Sequence, residues 1–270
     1  MITPNAAVAA CTRAAEEFAA GHEWQPAVQY TVRALIDRLA AVHGLPPSGL
    51  EYPHNAAATA ALDAMGPLEG WHVLDIGEVH QQLLELTPDR GKDGRVTAER
   101  AGLGKRGEQG SWYTPPQLAR EMCRLTIGPE LDRLQQHPNP ENVLQVLAMD
   151  PCCGAGVFLI EATRLIAERF ALRLFGTAPE AAIKAVIPTV LKECIFGVDI
   201  DPVAIDLAKT ALWTEAGGRV PFSFMDRNVI VGNALDDEMP PAFSEQRGEP
   251  LDAETRRKEY ADSQRAASPS

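Results

Sequence analysis

Three short segments of this 270-residue chain hold residues whose types and spacing suit chemistry. The first runs Asp150-Pro151-Cys152-Cys153-Gly154-Ala155-Gly156, a carboxylate ahead of paired thiols and of two glycines that flank one small residue. Gly154 and Gly156 let a backbone turn sharply and let a ligand lie against main chain with no side chain between them. The second, Gly197-Val198-Asp199-Ile200-Asp201-Pro202, places a carboxylate where it can accept hydrogen bonds from the two hydroxyls of a ribose. The third, Gly232-Asn233-Ala234-Leu235, offers a side-chain amide able to pair with an adenine edge. Each segment also has a plain structural reading. Glycine-rich turns commonly follow strands, and Asp201 directly before Pro202 has the form of a helix cap.

The elements around these segments decide how they are placed. Residues 1 to about 45 read as helices, with a glycine stop after a helically spaced apolar pattern, and residues 44–53 form a turn cluster. A second helical block spans about 55–65, and Val73, Leu74, Ile76, Val79, Leu83 and Leu84 form one broad helical stripe. The Gly- and Arg-rich segment after Asp89 reads as a loop, and Thr114 as the cap of a helix opened by Pro115 and Pro116. From about residue 142 strands and helices alternate. A short buried strand over 142–149 leads into the first segment, with helices over about 157–175 and 179–192 behind it. A strand over 194–201, a helix started by Pro202 and a third strand ending near Gly232 complete the succession. That alternation predicts an α/β fold with a parallel sheet covered by helices, and in an open parallel sheet ligands bind beyond the carboxyl ends of the strands. All three segments fall at such ends. The last thirty residues lose periodicity and read as a polar tail.

Their order narrows the ligand. A dinucleotide-binding turn would show GxGxxG with a pyrophosphate on the helix amino end. Here the turn begins with Asp150, which repels a pyrophosphate but suits an ammonium group. S-adenosylmethionine carries a cationic amino-acid end and a ribose, so acids at two strand ends fit it better than NAD.

Bulk properties set outer limits. Hydrophobic content of 45% and charged content of 23% are those of a chain that buries a core. No apolar stretch is long enough to span a bilayer, and the first eighteen residues, with Glu16 and Glu17, do not read as a signal peptide. Five cysteines without CxxC spacing fit reduced thiols in a cytoplasmic protein, and six scattered histidines give a metal site little support. A net charge of −12 argues against tight binding to DNA by this chain unaided. Between residues 90 and 106, however, six basic residues face two acids, and that stretch suits either phosphate contact or solvation.

The motifs carry a family resemblance. "DPCCGAGVFL" resembles the DPxCGSGxFL motif of N6-adenine-specific DNA methyltransferases of restriction-modification and phage-defence systems. "GVDIDPVAIDLAKTALW" and "VGNALDD" are similar to that family's second and third motifs, and "GSWYTPPQLAREM" to its GxYYTPxxLV segment. "LDIGEVHQQLLEL" is similar to the helix that often precedes it, with His80 where tyrosine is usual. The resemblance covers about residues 74–237. It implies a Rossmann-like methyltransferase fold with an incomplete parallel sheet behind a helical amino-terminal region. The domains it implies are residues 1–108, 109–240 and a tail over 241–270. It further implies that Tyr113, Thr114 and Pro115 border the methionine part of S-adenosylmethionine. Asp150, Pro151 and the Gly154–Gly156 turn would hold its amino-acid end, Asp199 the ribose, Ile200 the adenine face and Asn233 the adenine exocyclic nitrogen. Phe158 would pack near the cofactor or serve the core. Cys152 and Cys153 stand as small residues in a tight turn, with no activating base near them.

One family element is missing. N6-adenine transfer uses (D/N)PP(Y/F), whose polar group accepts from the target amine while its ring stacks on the flipped base. Here "EMPPAF" (238–243) puts Met239 at the acceptor position and Ala242 at the aromatic one, and a thioether cannot replace that acceptor. No catalytic residue is assigned, and no target-recognition region is read. The resemblance therefore implies the amino-terminal, cofactor-binding part of a DNA adenine methyltransferase, a truncated or split chain inactive alone, whose DNA contacts lie mostly in regions missing from it and whose catalytic motif a second polypeptide could carry. A non-catalytic S-adenosylmethionine-binding or interaction subunit, and a complete methyltransferase acting on protein or a small molecule, stay as alternatives.

Overall fold

A computed structural model describes residues 4–100, 114–236 and 240. It divides into two compact units, Met1–Thr114 and Pro115–Ser270.

The first unit is built on helices α1 (Pro4–Ala19), α2 (Trp24–Val42), α3 (Ala56–Asp63) and α4 (Val73–Leu84). Alanines at positions 7, 10, 14 and 15 of α1 are buried and bring its backbone close to α2 and α3. Phe18 stacks on Tyr30 with ring centroids 4.5 Å apart, and the Tyr30 hydroxyl meets Thr59 Oγ1 at 2.9 Å. Asp37 accepts from the Ser48 hydroxyl at 2.6 Å and the Tyr52 hydroxyl at 2.7 Å, which pins the irregular connection after α2. The stripe of α4 is narrower than its sequence suggests: Val73, Ile76, Val79 and Leu83 are buried, while Leu74 and Leu84 are half-buried.

The Gly- and Arg-rich segment is not simply a loop. Strands β1 (Leu86–Arg90) and β2 (Val96–Arg100) form an antiparallel hairpin. Its charged composition hides the alternation that marks a strand, because β1 leaves most of its side chains in solvent. The turn supplies what the pattern lacks: Gly94 sits at φ 83°, and Asp93 Oδ1 accepts from the Arg95 N–H at 3.1 Å. Arg90 is committed to structure, since it donates to the carbonyls of Ala19, Ala20 and His22 at the end of α1.

The second unit is α/β. Helices α5 (Pro116–Thr126) and α6 (Gly128–Leu134) precede β3 (Ala148–Asp150), α7 (Val157–Phe175), α8 (Glu180–Cys194), β4 (Ile195–Asp199), α9 (Pro202–Glu215) and β5 (Val229–Val231). The three strands form a parallel sheet in the order β3-β4-β5, with Asp150 opposite Gly197 and Asp199 opposite Val231. The central strand is apolar on both faces, as a covered parallel strand should be, and Ile195, Phe196 and Val198 are fully buried. α7 packs on β3 and β4 and against α8 and α9.

Two expectations fail here for local reasons. Residues 140–145 form a 3-10 turn, opened by Pro140 and capped by Asn139 Oδ1, so the first parallel strand holds only three residues. The amino cap of α5 is Pro115, not Thr114. A residue followed by proline is driven out of the helical region, so the chain turns helical one position later, at Pro116. No single helix among the described residues is long and apolar enough to cross a membrane. The expectation for residues 241–270 falls outside the described residues.

Candidate functional site

The carboxyl ends of β3, β4 and β5 are bound together by Asp199. Its Oδ2 accepts from the Gly154 N–H at 2.8 Å, its Oδ1 from the Asp201 N–H at 2.9 Å, and its main-chain carbonyl from the Gly232 N–H at 2.9 Å. One residue thus holds the loops that follow all three strands.

Each loop has its own local cause. After β3, Asp150 Oδ1 accepts from the Cys152 N–H at 3.1 Å, and the Cys153 N–H returns to the Val198 carbonyl of β4 at 3.0 Å. Gly154 and Gly156 then take φ values of 52° and 86°, a region closed to most side chains. Their surroundings differ. A Cβ on Gly156 would press within 3.1 Å of Ala208 in α9, whereas one on Gly154 would meet nothing within 4 Å. Gly156 therefore lets α7 pack on α9, and Gly154 keeps open the space over the turn. After β4, Asp201 Oδ1 caps α9 by accepting from the Val203 N–H at 2.9 Å, so its function is structural. After β5, Asn233 Oδ1 accepts from the Leu235 N–H at 3.1 Å.

The electrostatics of the turn favour a cation. Burial raises the Asp150 carboxyl above its ordinary range, the Asp199 charge adds to that, and the Cys152 N–H opposes it. A positive group placed there would relieve both acids. The same surroundings silence the thiols. Burial and then Asp150 and Asp199 push Cys152 up, and Cys153, buried against Gly197 and Leu159, is pushed well above the ordinary thiol range. Neither is poised as a thiolate nucleophile.

Asp150, Gly154, Gly156, Asp199 and Asn233 thus stand at one end of the sheet. Pro151 is exposed, and so is Ile200 at 73%, an unusual position for an apolar β-branched side chain beside a strand end. Phe158, half-buried, lines a cavity of about 630 Å³ beside β3 together with Asp150 and Pro151. Pro115 caps α5, Thr114 closes the first unit, and Tyr113 lies outside the described residues. Of the "EMPPAF" segment only Pro240 is among the described residues, and it is buried. Among the described residues no group of His, Cys, Asp or Glu is arranged to hold a metal ion.

Three supporting residues escaped the sequence reading. Gly197 lies under Leu159 and Cys153, where a Cβ would come within 2.8 Å of Leu159 Cδ1, and a glycine inside a strand is the signal that marks such an approach. Asn228 spends its side-chain N–H groups on the carbonyls of Leu191, Lys192 and Ile195, joining the end of α8 to the start of β4. Glu161, buried in α7, pairs with Arg120 of α5 at 2.9 Å.

Residues 144–231 match the family model UPF0020, described as an RMKL-like methyltransferase domain. This span contains all three parallel strands and the loops after β3 and β4. The chain carries a methyltransferase domain. No curated protein and no solved structure matches the chain significantly.

Proposed function

We propose that this methyltransferase domain is Rossmann-like and binds S-adenosylmethionine across the three strand ends. The observation that carries the reading is the placement of Asp199. A carboxylate offers roughly four lone-pair positions, and the Gly154 and Asp201 N–H groups take one on each oxygen. The remaining positions suit the two hydroxyls of a ribose. Asp150 supplies the anion for the cofactor's ammonium group, the open space over Gly154 admits its amino-acid end, and Ile200 offers an apolar surface to the adenine ring. Asn233 stands at the third strand end for the adenine exocyclic nitrogen. When bound, the cofactor supplies an electrophilic methyl group.

The acceptor we assign is N6 of adenine in DNA, with the amine-binding motif and most of the DNA-contacting surface outside these 270 residues, as in a truncated or split methyltransferase. The support is the five-motif resemblance together with the Met239 and Ala242 substitutions, which leave "EMPPAF" without an acceptor or a stacking ring. The acidic balance of the chain agrees with a DNA-binding surface carried elsewhere.

Calorimetric titration of S-adenosylmethionine into the wild type and Asp199→Ala tests the cofactor assignment. Binding by the wild type and its loss in the variant is the expected outcome, and no binding by a folded wild type would refute it. Methyl transfer to adenine-containing DNA by this chain alone would refute the absence of a working catalytic motif from these residues.

A further inference from the structure

Four side chains form an ion-pair ladder across three helices of the second unit. Glu161 of α7, its side chain 4% exposed, accepts from Arg120 of α5 through Nε at 2.9 Å and Nη2 at 3.3 Å. Arg164, one turn further along α7, lies 3.7 Å from Glu161 and donates to both oxygens of Glu215 in α9, at 2.9 and 2.6 Å. The three helices run in one direction. Gly156 and Arg164 meet Ala208 and Glu215 of α9 in that order. Cys123 of α5 meets Phe158 in the first turn of α7, and Arg169, far along α7, meets Asp132 of α6, the helix that follows α5. The amino end of α5 therefore lies toward the turn after β3, ahead of the cavity wall that Cys123 shares with Asp150 and Phe158.

Packing alone fixes α5 loosely. It buries only Ala119 and Cys123, both small, while Leu118, Met122 and Leu125 are exposed. Small side chains resist sliding and rotation weakly, whereas a guanidinium fork on a carboxylate fixes direction as well as distance. Glu161 in turn needs its partners, because a buried carboxylate costs stability unless it is paired.

We infer that Arg120 is a positioning residue: through Glu161 it holds α5 against α7 and so shapes the wall beside Asp150 that receives the amino-acid end of the cofactor. This role rests on the cofactor reading above, to which it adds a residue that touches no ligand. The ribose and adenine positions, Asp199, Ile200 and Asn233, do not line that cavity. A shift of α5 is therefore felt at the amino-acid end and not at the nucleoside end.

Calorimetry on the full chain compares two ligands: S-adenosylmethionine, and methylthioadenosine, which keeps the adenine and ribose but lacks the amino-acid end. In Arg120→Gln, Arg164 still faces Glu161, so the chain should fold. Expected for this variant are roughly tenfold weaker binding of S-adenosylmethionine and an affinity for methylthioadenosine within about twofold of wild type. Without ligand, its amide hydrogen exchange over residues 119–126 should be faster than in the wild type. Arg120→Lys keeps a charge beside Glu161 but loses the fork, so its affinity for S-adenosylmethionine should fall between the two. It makes the same comparison if Arg120→Gln does not fold. Equal weakening of both ligands would overturn the role, because a domain that is merely loosened loses both alike. Wild-type affinity for S-adenosylmethionine, or unchanged exchange over α5, would overturn it as well. No binding of S-adenosylmethionine by the folded wild type would instead overturn the cofactor reading, and this role with it.

Discussion

The Gly154 N–H donates to Asp199 Oδ2 at 2.8 Å, across a sequence separation of 45 residues. This bond joins the loop after one parallel strand to the end of its neighbour, so the cofactor turn is held by a group assigned to the cofactor itself. On the proposed assignment Asp199 is ligand-binding as well as structural, and the two contributions separate by substitution. Asp199→Asn keeps one accepting oxygen but turns an N–H₂ toward one of the two backbone donors. It should lose about 1.5–3 kcal/mol of stability without any ligand, the range for a hydrogen bond to a charged group. Urea denaturation of the ligand-free protein measures this loss, and calorimetry with S-adenosylmethionine measures the weaker binding also expected of the variant. A variant as stable as the wild type would show that the tie between the loops contributes little.

Gly156 combines a left-handed backbone with close packing on Ala208, and these two demands are separable. Gly156→Ala should destabilise by about 1–2 kcal/mol for the backbone and by about 1–3 kcal/mol for the crowding. Adding Ala208→Gly removes the contact with the Ala208 Cβ, but the Cα at 3.1 Å and the backbone strain remain. The double variant should therefore be more stable than the sum of the two single losses, by about 0.5 kcal/mol or more. Additive losses in denaturant titrations would show that α7 and α9 do not meet at this point.

Much of the sheet was legible in the sequence because its signals are local. Asp201 caps the helix that Pro202 opens, and Gly154 and Gly156 mark a turn wherever they occur after an apolar run. The length of the first strand was not legible, because Asn142 to Gln145 are apolar enough for a strand yet follow a proline and an asparagine cap. The hairpin of β1 and β2 was hidden because β1 is mostly solvated and β2 alternates only through Val96 and Ala98, too short a pattern among charged neighbours. The bond from Gly154 to Asp199, the pair of Arg120 with Glu161 and the three bonds of Asn228 join residues far apart in the chain. No local pattern encodes such pairs, and only the folded backbone brings them together.

Asp150 should show a conflict between stability and binding. In the unfolded chain its carboxyl titrates near the ordinary value of 3.8, and in the folded chain burial holds the proton to a higher pH. Between those two values the unfolded state has released a proton that the folded state keeps. Stability therefore falls as pH rises through this window, and it stays reduced above it. Asp150→Asn removes that loss while its amide oxygen still accepts from the Cys152 N–H. The variant should match the wild type below pH 3.8 and melt at a higher temperature at neutral pH, while binding S-adenosylmethionine more weakly. Thermal melts across pH check the sign, and a less stable variant at neutral pH would contradict it.

Asn228 fixes the junction at which α8 ends and β4 begins. Its amide nitrogen donates to the carbonyls of Leu191, Lys192 and Ile195 at 3.0–3.1 Å, and the residue is buried. Asn228→Ala leaves buried carbonyls without that donor and should cost about 2–3 kcal/mol. Asn228→Asp, nearly the same in shape, should be worse at neutral pH because an ionised carboxylate would face three carbonyl oxygens. The introduced acid favours its protonated form in the folded state, so the stability of this variant should recover as pH falls and decline as pH rises. Urea denaturation of both variants at acid and neutral pH measures this. A pH-independent loss for Asn228→Asp would mean that the side chain turns away from the carbonyls, and that the junction is held by packing alone.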